Sequence, residues 1–202
     1  MMKINRPKAP DWLDKNWKKW GKEYVDKLGK NPKYKFSWKQ YKKEKVNHLL
    51  LPLLKKMTAD HCSFCDGFPM GQGLIKETVE HFRPKALGMF PELVYMWANL
   101  FVACHFCQEK GNKFDIKLLK PDEDDYDFNK YFIFNFRTFE IETRKGDGIS
   151  DADKERAEIT LKIYKLNYTG RSKAREREFK NYLNADIDSR NINDFSYRYM
   201  FL

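Results

Sequence analysis

Four cysteines constrain this 202-residue chain more than any other feature. They form two pairs, Cys62-Ser-Phe-Cys65 and Cys104-His-Phe-Cys107, and no cysteine lies outside them. A two-residue spacing turns both sulfurs toward one point, as in the knuckles of tetrahedral zinc sites. Disulfides are disfavoured by a reducing compartment and the tight spacing, and a thioredoxin-like redox role needs only one pair. The spacing therefore predicts a Zn²⁺ ion held by all four thiolates.

Such a zinc ion would be structural, because four protein ligands leave no open position for water. In small domains a site of this kind contributes on the order of 10 kcal/mol of apparent folding free energy. It would clamp residues 62 and 107 together and close the loop between them. That loop contains Glu80, His81 and Asn99.

The composition indicates an ordered chain without a membrane segment. Hydrophobic residues make up 42% and aromatic residues 16% of it, which is enough for one core and too much for a disordered protein. We find no uninterrupted apolar run of about 18 residues and no apolar signal segment near the N-terminus. We expect a soluble, cytoplasmic protein that does not enter a membrane.

Positive charge is concentrated in residues 1–60, which carry 17 Lys and Arg against 6 Asp and Glu, a net of +11. The remaining 142 residues carry a net charge of −1. Such a field attracts polyanions, and the aromatic residues within it could stack on bases or pack as a core. Packing is the favoured interpretation because aromatic side chains are mostly buried. These residues are Trp12, Trp17, Trp20, Tyr24, Tyr34 and Trp38.

The apolar pattern predicts a mainly helical α+β fold. An amphipathic helix is expected over residues 41–57, kinked or restarted at Pro52, and a strand pair over residues 131–143. Two further helices are expected, one starting at Ser150 and one over residues 172–183.

We divide the chain into three segments that are expected to form one compact unit. Residues 1–60 form a basic, aromatic-rich helical region, and residues 61–120 carry the cysteines. Residues 121–202 form a β-hairpin followed by the C-terminal helices.

Four stretches together resemble the zinc-bearing HNH endonuclease motif: CSFCD, VEHFRPK, WANL and ACHFCQEKGNKF. The form VEHFRPK is more particular. With KINRPKAPDWL near the start and ITLKIYKLN before a basic helix, it resembles the HNH nucleases of bacterial anti-phage defence, namely the Septu PtuB subunit and retron-associated effectors. The resemblance implies a zinc-stapled ββα-metal core with a small β-hairpin and a metal-dependent endonuclease that cuts DNA, with RNA as the other possible substrate.

The resemblance also implies roles for individual residues. His81 would accept the proton of the attacking water, a contribution of about 10²- to 10⁴-fold. Glu80 stands where the family has an Asp that binds Mg²⁺ or Mn²⁺, and an oxygen ligand one methylene longer suits the same hard cations. Asn99 would fix the loop that presents His81. Without the cysteines around it, the Glu80-His81 pair would be read as an ordinary surface pair.

The second ligand of the catalytic cation has two candidates. Gln108 follows the last cysteine, where the family has Asn or His, and Asn112 is its rival because the entry to the helix is shortened. Gln108 is favoured because it adjoins the zinc knuckle.

Four basic residues near these positions are expected to contact the nucleic-acid backbone. They are Arg83, Lys85, Lys110 and Lys113.

Two classes of function therefore compete. One is the DNA nuclease, for which the resemblance implies an ABC-type ATPase partner of the PtuA kind, with residues 1–60 as a docking surface. The other is a zinc-stapled module that binds nucleic acid or protein and has lost activity through Gln108 and the shortened helix. Retention of Glu80, His81 and Asn99 favours the nuclease.

Overall fold

The computed structural model describes residues 1–71, 77–146, 148–168 and 170–202. Within these ranges, helices and two-stranded antiparallel sheets form a mixed α/β fold around the four cysteines. The helices are α1 (Asp11–Asp14), α2 (Trp17–Lys30), α3 (Val46–Thr58), α4 (His105–Gln108), α5 (Phe128–Tyr131), α6 (Asp151–Ile163) and α7 (Arg171–Asn184). The strands are β1 (Gln40–Tyr41), β2 (Glu44–Lys45), β3 (Glu77–His81), β4 (Leu100–Cys104), β5 (Phe132–Asn135) and β6 (Glu140–Thr143).

Helix α3 begins five residues later than the sequence predicts. Residues 40–45 form the hairpin β1–β2 instead, because Lys42 and Lys43 adopt positive φ angles of 49° and 70° in a tight turn. Pro52 lies inside α3, which continues through it as one helix. The missing N–H of Pro52 is therefore accommodated without a restart.

The predicted C-terminal elements are present. Hairpin β5–β6 buries Phe132 and Phe134, whereas Phe136 follows the end of β5 and is 52% exposed. Helix α6 starts where predicted, because the Ser150 hydroxyl accepts a hydrogen bond from the Asp153 amide at 3.1 Å. Helix α7 matches its expected range to within one residue at each end.

Contacts cross the boundaries between the three sequence segments. The Ile4 amide donates to the Pro121 carbonyl at 2.8 Å. The Arg198 guanidinium pairs with the Asp66 carboxylate at 2.7 Å, which joins the C-terminal end to the first cysteine pair. The first contact joins the N-terminal segment to the C-terminal segment, and the second joins the C-terminal segment to the cysteine-bearing segment.

The aromatic residues of the N-terminal third belong to the core, which confirms the packing interpretation. Trp20 and Tyr24 are buried, while Trp12, Trp17, Tyr34 and Trp38 are half-buried against the core. No helix in the described ranges combines the length and apolar character needed to cross a membrane.

Candidate metal centre and adjoining cavity

The antiparallel pair β3–β4 positions both candidate regions, the cysteine cluster and the surroundings of His81. In its register Glu77 lies opposite Cys104 and His81 lies opposite Leu100, and the one-turn helix α4 follows β4 directly. Four residue steps of about 3.3 Å therefore separate the cysteine end of the sheet from the histidine end.

The four cysteines converge as their spacing predicts. Their sulfur atoms all lie within 4.8 Å of one another, and those of Cys65 and Cys104 are 3.7 Å apart. Four thiolates at about 2.3 Å from a tetrahedral Zn²⁺ would be about 3.8 Å apart, so the geometry fits this ion. All four are buried free thiols, so the disulfide alternative is wrong.

Neighbouring groups stabilise negative charge on this cluster. The Cys104 amide donates to the Cys62 sulfur at 3.4 Å, and the Arg171 guanidinium donates to the Cys107 sulfur at 3.6 Å. Hydrogen bonds from Cys104, Cys107 and Cys62 lower the pKa of the Cys65 thiol well below its usual value, while the pKa values of Cys104 and Cys107 are raised within the same cluster of hydrogen-bonded, buried sulfurs. Thiolates of this kind are the ligands that Zn²⁺ requires.

His81 is buried at the other end of the sheet, and its tautomer follows from its contacts. Its Nε2 lies 3.0 Å from the Val94 carbonyl, which only accepts, so Nε2 carries the hydrogen. Its Nδ1 is left as an acceptor and lies 3.4 Å from the Lys85 ammonium. Burial, with a smaller contribution from the charge of Lys85, lowers the pKa of His81 to about 3. The imidazole is therefore neutral at physiological pH.

The N-terminal segment holds the ring of His81. Trp38 stacks on it, with ring centroids 5.5 Å apart and an interplanar angle of 16°. Phe36 packs against it edge-on at 5.8 Å. Sequence reasoning treated Trp38 only as part of a basic aromatic stretch, because no local spacing connects residues this far apart in the chain.

The amide of Asn99 ties down the chain that follows His81. Its Oδ1 accepts from the Arg83 amide at 2.7 Å, and its Nδ2 donates to the carbonyls of Arg83 and Leu93 at 3.1 and 3.2 Å. Asn99 is itself buried. It therefore fixes the loop that follows His81 from the neighbouring 3-10 helix, Trp97–Asn99.

Glu80 and Lys110 form a buried ion pair, with Oε1 and Nζ 2.9 Å apart. The Lys110 side chain is 0% exposed, and its Nζ also donates to the His81 carbonyl at 3.0 Å. The prediction that Lys110 contacts a nucleic-acid backbone is therefore wrong, because its ammonium has no access to solvent. The pKa of Glu80 is nevertheless raised, since burial outweighs the charge of Lys110.

A cavity of about 170 Å³ brings most of the predicted residues together. Alternation along β3 would place the side chains of Glu80 and His81 on opposite faces, but both reach the cavity because His81 ends the strand. The Nε2 amide group of Gln108 donates to the Thr78 hydroxyl at 2.9 Å. The Oε1 atom of Gln108 takes no part in this hydrogen bond. The cavity is lined by Glu80, His81, Pro84, Lys85, Gln108, Gly111 and Asn112.

Both candidates for the second cation ligand, Gln108 and Asn112, thus lie at the same cavity. Arg83 and Lys113 are exposed and are not among its lining residues, and Lys85 is half-buried within it.

No family model, curated protein or solved structure matched this chain. The resemblance to HNH nucleases therefore depends on the sequence motifs alone.

The cavity does not fit a hard divalent cation well. Among the described residues, the cysteine tetrad is the one group of three or more His, Cys, Asp or Glu side chains placed to share a metal ion. Glu80 is the single carboxylate lining the described part of the cavity, and it already pairs with Lys110. Mg²⁺ prefers several oxygen ligands with negative charge, whereas this cavity supplies one committed carboxylate and two neutral amides.

Proposed function

We propose that this chain is an HNH-type endonuclease that hydrolyses phosphodiester bonds of DNA, with His81 as the general base. The observation that carries the proposal is the neutral imidazole whose Nε2 is held by Val94 and whose Nδ1 remains an acceptor beside Lys85. A surface histidine would not need this support. The cysteine cluster supports the proposal because a zinc ion there would tie the first cysteine pair to β4 and α4, and β3 is paired with β4.

The chemistry assigned to these residues is a single displacement at phosphorus. A water molecule transfers a proton to Nδ1 of His81 while its oxygen forms the new bond to phosphorus, and the bond to the leaving oxygen breaks. Lys85 would lie beside the phosphate and stabilise its growing negative charge. Burial lowers the pKa of Lys85, which favours proton donation from this ammonium to the leaving oxygen.

Substrate binding also makes His81 a better base. A phosphate placed beside Lys85 brings negative charge close to the imidazole and offsets the ammonium that lowers its pKa. His81 would then accept the proton of water more readily in the complex than in the free protein.

The wider assignment is part of the same proposal. Arg83 and Lys113 are exposed near the cavity and would contact backbone phosphates, and the net charge of +11 in residues 1–60 would attract the polyanion. The motif resemblance extends the proposal to a role in anti-phage defence with an ABC-type ATPase partner. Mg²⁺ or Mn²⁺, which the resemblance implies, would have to be held by Glu80 with Gln108 or Asn112, and the displacement above does not pass through it.

A second function is favoured by one specific observation. The carboxylate expected to bind the catalytic cation is neutralised by Lys110, and α4, the helix at the second knuckle, has only one turn. Both features suit a zinc-stapled module that binds a partner without cutting it.

Plasmid cleavage separates the two functions. Zinc-loaded wild-type protein is incubated with supercoiled plasmid, with and without Mn²⁺ and with and without a candidate ATPase partner. The nuclease predicts cleavage that falls by about 10²- to 10⁴-fold in His81→Ala at unchanged zinc content. The matched control is His48→Ala on α3, where the exposed imidazole lies outside the cavity, and it should cut like wild type. If wild type cuts under none of these conditions, the nuclease proposal is wrong and the binding module becomes the favoured function.

A further inference from the structure

The position of Lys110 bears on which ligand the cavity takes. The three N–H groups of its ammonium face three acceptors: Glu80 Oε1 at 2.9 Å, the His81 carbonyl at 3.0 Å and the Gly111 carbonyl at 3.4 Å. The ammonium is thus fully hydrogen-bonded within the protein. A buried charge held this way is costly to move, because each partner would lose its bond without gaining water.

The same contacts decide the charge of the cavity. A divalent cation on Glu80 would lie next to the Lys110 ammonium and be repelled by it, in surroundings that screen charge poorly. Lys85 adds a second ammonium, 3.4 Å from His81 Nδ1. With Glu80 as the one carboxylate among the described lining residues, these three charged groups sum to +1.

Lys85 is the cation left to meet a ligand. Among the residues that the structure describes, no carboxylate forms an ion pair with it, since Glu80 is engaged by Lys110. Its side chain is half-buried, lines the cavity and lies 5.2 Å from the centre of the Phe36 ring, which limits its movement. An ammonium held in this way is suited to binding an oxyanion.

We propose that Lys110 takes the place of a divalent cation at Glu80, and that the cavity binds a phosphate group on Lys85 without a metal ion. Lys110 acts as a positioning residue: it holds Glu80 and the His81 carbonyl and leaves Lys85 free for the ligand. The inference rests on the proposed function in one respect only, the choice of phosphate as the class of ligand. Its tests measure binding, so they are independent of whether the protein cuts DNA.

The first test is Mn²⁺ binding by electron paramagnetic resonance on zinc-loaded protein. Wild type is expected to bind no more Mn²⁺ than Glu80→Gln over the millimolar range. A Mn²⁺ site that is present in wild type and lost in Glu80→Gln would overturn the proposal. Lys110→Met frees the Glu80 carboxylate, and in folded protein it should bind Mn²⁺ at least about tenfold more tightly than wild type. Folded Lys110→Met that binds no better than wild type would refute the competition between ammonium and metal.

The second test measures the binding of inorganic phosphate by calorimetry. A chelator that is too weak to remove zinc is present throughout. Wild type should bind phosphate, and Lys85→Met should bind at least about tenfold more weakly. The matched control is Lys154→Met, which removes an exposed lysine of α6 and should leave binding unchanged. Equal binding by wild type and Lys85→Met, or binding that requires added Mg²⁺, would contradict the proposal.

Discussion

The buried imidazole of His81 should make the stability of this protein fall below neutral pH. Its pKa is lowered from 6.5 to about 3 in the folded state, chiefly by burial. Unfolded chains therefore bind a proton below pH 6.5 that the folded protein does not. The contribution to stability is complete above pH 6.5 and is lost progressively as pH falls toward 3.

The size of the effect follows from this shift. Each pH unit below 6.5 costs about 1.4 kcal/mol while the folded imidazole stays neutral. At pH 5, which is 1.5 units lower, the loss amounts to about 2 kcal/mol. This is a large share of the free energy of unfolding of a typical domain, about 5–15 kcal/mol.

The assay compares the free energy of urea unfolding of wild type and His81→Gln at about pH 7.5 and pH 5. Glutamine does not titrate, and its amide can still donate to the Val94 carbonyl. Protonation of the zinc thiolates affects both proteins alike and cancels in the difference, provided that the zinc content of each is equal. Between pH 7.5 and pH 5, the free energy of unfolding of wild type should fall by about 2 kcal/mol more than that of His81→Gln. An unchanged difference would mean that the folded protein accommodates the imidazolium, and the reasoning from burial would be wrong.

Two further predictions concern the metal cluster and the loop beside His81. Cys104→Ser should lose zinc and cooperative unfolding, because three thiolates hold the ion far more weakly than four. Mass spectrometry measures the bound metal, and circular dichroism measures the unfolding. The control variant His105→Ala, in the same knuckle, should keep its zinc and its cooperative unfolding. Asn99→Ala removes three part-buried hydrogen bonds to the backbone of Arg83 and Leu93 and should lower the free energy of unfolding by about 2–4 kcal/mol, measured in urea. A loss below about 0.5 kcal/mol would show that the loop is held by other contacts.

Local patterns predicted the features that depend on neighbours in the chain. The spacing of the cysteines indicated one shared cluster, because two residues between cysteines are enough to aim both sulfurs in one direction. The start of α6 followed from the cap by Ser150, which needs only the amide of Asp153. The start of α3 was missed because the turn at Lys42 and Lys43 has none of the Gly or Asn residues that usually mark positive φ angles.

The sequence grouped residues that line one cavity, but it did not reveal which of the charged residues there pair with each other. Glu80, His81, Lys85, Gln108 and Asn112 line one cavity, as expected from residues that a single closed loop and its knuckle hold together. Lys110 was predicted to contact a nucleic-acid backbone, which requires an exposed ammonium. Lys110 is buried because α4 and the turn after it pack against β3. No local pattern within residues 105–113 predicts this packing.

By itself, the sequence determined the cysteine cluster, the excess of positive charge near the N-terminus and the positions of the main C-terminal helices. Tertiary structure alone decided that Lys110 neutralises Glu80 and that Trp38 stacks on His81. The physical reason is that the energy of a charge or a ring depends on what surrounds it after folding. Thiol spacing and helix caps operate over a few residues, whereas burial brings together groups that lie tens of residues apart.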